Sequence, residues 1–412
     1  MYGFILKIKK SSKAVKGYMR IRYKKDGEGL RPVARIYTDG EHGLNPASID
    51  QDAVKSILRL KQRGFSAFIV GGAIRDILLG RVPKDFDIAT DASPRQVHKL
   101  FYQARVIGKR FKLVHLVYGD KIIEVSTFRG ESQDDNCNNT FGTMESDAKR
   151  RDFTINSLYY DPVENTLFDF NDSLSDFKKK RIHSVLPLAT SFIEDPVRMI
   201  RAVKYSITTG FKMDFALKRA IKHDSRLLAN ISSSRLTEEV FKILGSGCSA
   251  QIIRSLDDYG LLVHILPCMC VYTKFPVFFD ALNELDFCIN SSVSHGGKCK
   301  EVERWEGFLY LTKNMIVNSP ETLSPEERFN DIFRQLKVLL SPITPPNFEL
   351  ENVCSQYMKQ NGFPIHKSSR SIKRDRARNI RKKKTVKSPA KPQKRKPRKA
   401  SGSAIPESLQ DI

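Results

Sequence analysis

Long apolar runs are missing from this 412-residue chain. None approaches the roughly 18 residues that a membrane-crossing helix needs, so no membrane partner is expected. Cysteine is sparse and unpaired: the seven cysteines (137, 248, 268, 270, 288, 299 and 354) form no C-x-x-C, and Cys268 and Cys270 make only a C-x-C. That spacing argues against structural zinc and for reduced thiols in a cytoplasmic protein. The phosphate loop G-x-x-x-x-G-K-[ST] is absent, which excludes a P-loop ATPase or kinase. His223-Asp224 is a lone dipeptide without the further His and Asp ligands of a phosphohydrolase, and reads as a surface pair. No internal repeat of fixed period is present.

Acidic residues are scarce at both ends. Residues 1–31 carry ten Lys/Arg against two acids, and residues 367–412 carry 17 against three. Most of the net charge of +24 therefore sits on two arms flanking a near-neutral middle. Such arms suit a polyanion, and RNA contact is expected from the C-terminal one. That tail (KKKTVKSPAKPQKRKPRKASGS) has too little apolar surface to fold alone. The N-terminal arm has no acid before Asp26, as in an organellar transit peptide. It is Lys-rich rather than Arg-rich, which favours a bacterial cytoplasmic protein with a basic leader.

Between the arms, Ile49–Arg63 shows helical periodicity closed by Gly64, and Phe65–Val70 reads as a strand. Ser93 and Pro94 open a second helix. Two apolar or alternating runs split by Gly119-Asp120 predict a hairpin. The polar segment 129–148 reads as a mobile loop. Asp195-Pro196 predicts another helix start, with Asp195 as cap, and helical patterns recur at 213–230, 234–246, 249–259 and 327–340.

The chemistry concentrates in FIVGGAIRDILLGRVPKDFDI, residues 68–88. Gly71 and Gly72 permit close backbone approach to a ligand, and the helix that follows carries Arg75 and offers free N–H groups to phosphate. Asp85 and Asp87 are spaced i, i+2, which on a strand places both carboxylates on one face. Side by side they call for a cation, and a divalent ion holding a triphosphate fits. Glu124, inside the apolar run 121–128, supplies a third carboxylate. Its competing reading is a sheet-face acid paired with Lys121 or Arg129. Downstream, Arg150, Arg151 and Asp152 precede an apolar segment. Arg198 and Arg201 share a helix face, where their forks suit phosphate oxygens or base edges.

Together, VGGAIRDILLG, KDFDIAT, IIEVSTFRG, RRDFTINSLYYDP and EDPVRMIRAVKYS resemble the class II nucleotidyltransferases of the DNA polymerase β superfamily, over roughly residues 45–250. That group holds the bacterial poly(A) polymerases and the CCA-adding tRNA nucleotidyltransferases. The resemblance implies that Asp85 and Asp87 bind metal, two Mg²⁺ ions in all, and that Glu124 is a third acidic residue of the site. Gly71, Gly72 and Arg75 would hold the triphosphate of ATP, and Arg151 and Asp152 would bind the nucleotide, Asp152 belonging to the active site. Asp195 and Arg198 would read the incoming base, followed by Arg201. The substrate would be an RNA 3′ end, mRNA or tRNA.

VIGKRFKLVHL at 106–116 is similar to a signature associated with poly(A) polymerases, and the long basic tail fits a sequence-tolerant grip on many RNA ends. Poly(A) addition is therefore the expected activity. CCA addition from CTP and ATP is the alternative, and a non-catalytic RNA-binding protein on the same fold is the further one. The expected fold is α+β: an N-terminal mixed, mainly antiparallel nucleotidyltransferase sheet with helices, then an all-helical neck and body. The expected division is a basic arm at 1–45, a catalytic head at 46–185, a neck at 186–250, a body at 251–366 and a disordered basic tail at 367–412.

Overall fold

The computed structural model describes residues 5–8, 19–26, 29–108, 113–130, 141–294, 302–317, 320 and 322–364. The C-terminal basic tail lies outside the described residues. Ten strands form one sheet: β1 (Ile5–Ile8), β2 (Met19–Asp26), β3 (Gly29–Tyr37), β4 (Ala67–Val70), β5 (Asp87–Thr90), β6 (Ala104–Ile107), β7 (Leu113–Tyr118), β8 (Lys121–Thr127), β9 (Leu158–Asp161) and β10 (Thr166–Asp169). Their spatial order is β1-β2-β3-β10-β9-β4-β5-β8-β7-β6. β5 and β8 pair parallel, and the other described pairings of this sheet are antiparallel. The expected mixed, mainly antiparallel head is what the chain forms.

Local chemistry sets the helices of the head. Asp50 caps α1 (Gln51–Gln62) by accepting from the N–H groups of Asp52 and Ala53. Gly64, at φ +83, turns the chain out of it. α2 (Gly72–Leu78) follows β4 directly, and Ser93 with Gln96 builds a capping box at the start of α3 (Pro94–Leu100). Ile57 and Leu60 of α1 and Ile74 and Ile77 of α2 bury against Ile69, Ile88 and Tyr160 of the sheet. The opposite face holds a smaller cluster around Phe68, Phe128 and Tyr159.

Part of the segment read as a loop is helical. Thr143 and Ser146 cap α4 (Met144–Lys149), which buries Met144 and Ala148 in that smaller cluster. Residues 131–140 fall outside the described ones. The N-terminal arm also departs from its charge-based reading, because β3 joins the sheet through β10, with Ala34 and Ile36 buried. Arg35 alternates with them and pairs with Asp172, so a strand with one apolar side hides in a basic stretch.

The rest is helical. α5 (Ser173–Lys179) closes the head, and α6 (Leu188–Glu194) and α7 (Val197–Thr209) follow. Then come α8 (Phe215–Asp224), α9 (Ser233–Leu244) and α10 (Ser249–Asp258), with six further helices described between Leu262 and Gln360. α7 starts one residue later than expected: Pro196 is its cap, while Asp195 is extended and accepts from the Val197 N–H at 3.2 Å. A single hydrophobic cluster runs from Phe153 to Met358, so segments on both sides of residue 250 share one core.

Candidate active site

One ladder of paired residues crosses the sheet and carries the site at its middle. Val70 on β4 pairs with Asp87 on β5, and Asp87 pairs with Glu124 on β8, which pairs with His115 on β7. Laterally paired residues project from the same face, so the carboxylates of Asp87 and Glu124 stand together. Burial pushes the Asp87 carboxyl up to about 6, with Glu124 and Asp85 adding to the rise and Arg151 and Lys242 opposing it. Asp85 is not on the strand, contrary to the i, i+2 expectation. β4 ends at Val70, where Gly71 turns away, so the chain before Asp87 has no strand partner on that side and Asp85 lies exposed.

Glu124 does not take either of the partners proposed for it as a plain surface acid. His115 Nε2 lies 3.6 Å from its carboxylate, whereas Lys121 holds Asp50 and Asp52 at 2.8 and 2.9 Å. Three positions separate Lys121 from Glu124, which puts them on opposite faces of β8.

Gly71 has φ +73, and a Cβ placed on it would lie 3.4 Å from Arg151 Nη1 and 3.6 Å from Asp87 Oδ2. The bare glycine thus abuts both a cation and a carboxylate of the site. Gly71→Ala is expected to lower stability by about 1–2 kcal/mol, because an L-residue is disfavoured at positive φ; urea denaturation measures it. On Gly72, a Cβ would sit 3.4 Å from Arg75 Nη2, so Arg75 folds back over the start of its own helix.

Arg151 is clamped. It donates to the Tyr159 hydroxyl (3.0 Å), Asp147 (3.2 Å) and the Asn156 carbonyl (3.3 Å), and its guanidinium lies 5.1 Å from the Tyr159 ring centre. Burial opposes its charge, but Tyr159 and Asp147 outweigh burial and raise its pKa. Asp152 accepts from its neighbour's N–H at 2.8 Å and from Asn156 Nδ2 at 3.1 Å. Arg201 Nη2 lies 2.9 Å from Asp152 Oδ2 but off the line of a hydrogen bond. That oxygen and Arg201 Nε are buried and make no hydrogen bond among the described residues, the oxygen being held by its ion pair with Arg201.

The proposed base-reading pair is partnered elsewhere. Asp195 receives two hydrogen bonds from Arg235 Nη2, both at 2.9 Å. Arg198 is buried and donates to Ser191 and to the Arg150 carbonyl, at 3.2–3.3 Å, which ties α7 to the Arg150–Asp152 segment. Sequence reading passed over Asn156, Tyr205, Arg235 and Lys242. Asn156 and Tyr205 stand four residues after Asp152 and Arg201, a spacing that could have marked them. Arg235 carries no local signal.

Residues 67–183 match the family model described as "Poly A polymerase head domain". That stretch, β4 to just past α5, is similar to a poly A polymerase head. Residues 210–272 match a second model, described as "Probable RNA and SrmB- binding site of polymerase A". Poly(A) polymerase I of Haemophilus influenzae is 36% identical over 268 residues, 61% of this chain and 59% of that protein. Poly(A) polymerase I of Escherichia coli O157:H7 is 37% identical over 257 residues, 59% of this chain and 55% of that one. The CCA-adding enzyme of Geobacillus stearothermophilus is 36% identical over 220 residues, 52% of this chain and 54% of that one. The chain thus spans a little over half the length of the curated relatives it matches, and as a nucleotidyltransferase relative it resembles both groups. The crystal structure of the Bacillus stearothermophilus CCA-adding enzyme with CTP shares the fold at a TM-score of 0.50 and 24% identity, covering 83% of this chain and 89% of that one. A tRNA nucleotidyltransferase complexed with a primer tRNA and an incoming ATP analog does so at 0.51 and 24%, covering 81% and 91%. Among the described residues no helix is long and apolar enough to cross a membrane.

Proposed function

We propose that this chain is a template-independent RNA nucleotidyltransferase that adds AMP from ATP to RNA 3′ ends. The observation that carries the reading is the in-register pair Asp87–Glu124, like charges on one sheet face beside the Gly71 turn and Arg151. The longer match to poly(A) polymerases than to CCA-adding enzymes, 268 against 220 residues, supports adenylation over CCA addition.

The donor set fits Mg²⁺, because Asp85, Asp87 and Glu124 offer only hard carboxylate oxygens. Among the described residues no group of three His, Cys, Asp or Glu side chains closes around an ion. Mg²⁺ takes one or two protein carboxylates and completes its shell with water and substrate phosphates. Asp85 and Asp87 would hold the metal, with Glu124 beside them, and bound Mg²⁺ would favour the ionised 3′-hydroxyl and stabilise the departing pyrophosphate. The hydroxyl oxygen bonds to the α-phosphorus as the bridging bond to pyrophosphate breaks. Arg75 and the Gly71–Gly72 turn hold the triphosphate, and Arg151 sets its charge against the phosphates from its clamp. Asp152 and Arg201, paired at 2.9 Å, bind the nucleotide as one charged unit.

Base choice falls to Asp195 and Arg198. Asp195→Ala removes an acceptor for an exocyclic amine and releases Arg235. Preference for ATP over UTP, which carries a carbonyl where adenine carries that amine, should fall by about 10–100-fold, the size of one good base contact; competition between the two nucleotides measures it.

The deciding experiment supplies a tRNA lacking CCA, or an unrelated RNA, with ATP alone or with ATP plus CTP. Long A tails on both RNAs from ATP alone support the reading. Addition of three nucleotides to the tRNA alone, dependent on CTP, replaces it with CCA addition. Binding without incorporation of either nucleotide leaves a non-catalytic RNA-binding protein.

A further inference from the structure

Tyr205, on α7, sits where the head meets the neck, and three cations surround its ring. The Arg75 guanidinium lies 5.0 Å from the ring centre, that of Arg201 5.6 Å and Lys204 Nζ 5.3 Å. The hydroxyl accepts a hydrogen bond from Arg201 Nη2 at 2.9 Å, and the ring meets the buried Phe153 edge-on at 6.1 Å. Three positive groups this close repel one another. The negative face of the ring and the Asp152 carboxylate offset the repulsion. The hydroxyl records the crowding: burial works to raise its pKa, yet the pKa is lowered, because Arg201, Lys204 and Arg75 outweigh burial and Asp152.

These contacts close a circuit. Arg75 Nη1 donates to Asn156 Oδ1 at 2.9 Å, and Asn156 Nδ2 donates to Asp152 Oδ1 at 3.1 Å. Asp152 Oδ2 faces Arg201, Arg201 donates to Tyr205, and the Tyr205 ring returns to Arg75. The circuit crosses α2 of the head, the Asp152–Asn156 turn and α7. A guanidinium has five N–H donors in a rigid plane. Contacts to Asp76 and Asn156 engage all three Arg75 nitrogens and leave two N–H groups over. Those two partners hold the edge of that plane, and the Tyr205 ring, 5.0 Å away, adds a contact from the neck helix.

We propose that Tyr205 is a positioning residue for the nucleotide triphosphate: its ring braces Arg75, and its hydroxyl keeps Arg201 against Asp152. The neck helix thereby braces a head arginine. This rests on the transferase reading above, within which Arg75 holds the triphosphate.

The test compares wild type, Tyr205→Phe and Tyr205→Leu by steady-state AMP incorporation and by calorimetric ATP binding without RNA. A group that strengthens nucleotide binding equally in the ground state and the transition state moves KM and leaves kcat. Tyr205→Leu is expected to raise the ATP KM and weaken ATP binding by roughly tenfold, through loss of the ring's contact with the Arg75 guanidinium, with kcat and the KM for RNA near wild type. Tyr205→Phe keeps the ring and should restore ATP binding to within about threefold of wild type. If Tyr205→Leu does not fold, Tyr205→Met keeps the bulk without the ring and takes its place. Unchanged ATP binding in a folded ring-less variant overturns the proposal, as does equal impairment of the Phe and Leu variants. A wild type that binds ATP yet extends no RNA overturns the transferase reading instead, and the binding comparison still decides the role of Tyr205.

Discussion

Asp87→Asn is expected to lower AMP incorporation by about 10³-fold or more, since a metal ligand supplies several kcal/mol of transition-state stabilisation, and also to raise the thermal midpoint of the metal-free protein. The loss follows from replacing an anionic oxygen ligand with a neutral amide. The gain follows from where Asp87 sits. Its carboxyl is raised from the ordinary value of 3.8 to about 6 by burial and by Glu124. An acid raised in the folded state holds its proton more tightly there than in the unfolded chain. Its folded form is thus least penalised below about pH 4, loses stability as pH rises from about 4 to 6, and carries the whole penalty above that. A rise of this size corresponds to at most about 3 kcal/mol. Asparagine removes the penalty, so the variant should melt a few degrees above wild type in EDTA at pH 7.5, and with wild type at pH 4. RNA binding should be unchanged. Normal incorporation would sink the assignment of Asp87. An unshifted midpoint at pH 7.5 would sink the electrostatic account of its surroundings.

The parts of the site that were legible in sequence are those whose signals are local. Gly71 and Gly72 between an apolar run and an amphipathic run announce a strand–turn–helix, and the chain builds β4, the turn and α2 there. Gly119-Asp120 between two alternating runs announces a hairpin, and β7 and β8 pair across it. Glu124 was placed on its strand, but its register beside Asp87 depends on two strands more than thirty residues apart, which no local pattern encodes. Asp85 shows the converse: i, i+2 spacing implies a shared face only where a partner strand holds the chain extended, and Gly71 removes that partner. Charge misled the reading of β3, because Arg31 and Arg35 dominate the composition while the buried Ala34 and Ile36 decide the fold. Tyr205, Asn156 and Arg235 went unmarked since their significance lies in partners brought up by packing. Arg235 reaches Asp195 across 40 residues.

Glu239→Leu should lower stability by about 3–5 kcal/mol, the cost of leaving a buried charge without its partner. Glu239 and Lys204 are both buried between α9 and α7, with Lys204 Nζ 2.8 Å from one carboxylate oxygen and Lys242 Nζ 3.1 Å from the other. Burial works to raise the Glu239 pKa, but Lys204, Lys242 and Arg201 outweigh it and hold the carboxyl at about 2 against an ordinary 4.5. A depressed acid contributes its stability above the unfolded value and loses it as pH falls through the folded one, so this contribution is complete at pH 7 and disappears between about pH 4.5 and 2. In Glu239→Leu the Lys204 ammonium remains inside without that partner, next to the Tyr205 ring. Lys204→Met with Glu239→Leu removes both charges and the desolvation each suffers, and should recover most of the loss. Urea denaturation of wild type, the two single variants and the double variant at pH 7 gives the coupling energy directly. A single-variant loss below about 1 kcal/mol, the range of exposed pairs, would show that water reaches the pair. A double variant as unstable as Glu239→Leu would show that Glu239 acts through packing and not through Lys204. The double variant also separates structure from chemistry in the neck: it keeps Arg75, Tyr205 and Arg201 but removes the cation and anion beside them. Stability restored with ATP affinity still weakened would place Lys204 and Glu239 in the electrostatic frame that holds Arg201 toward the nucleotide.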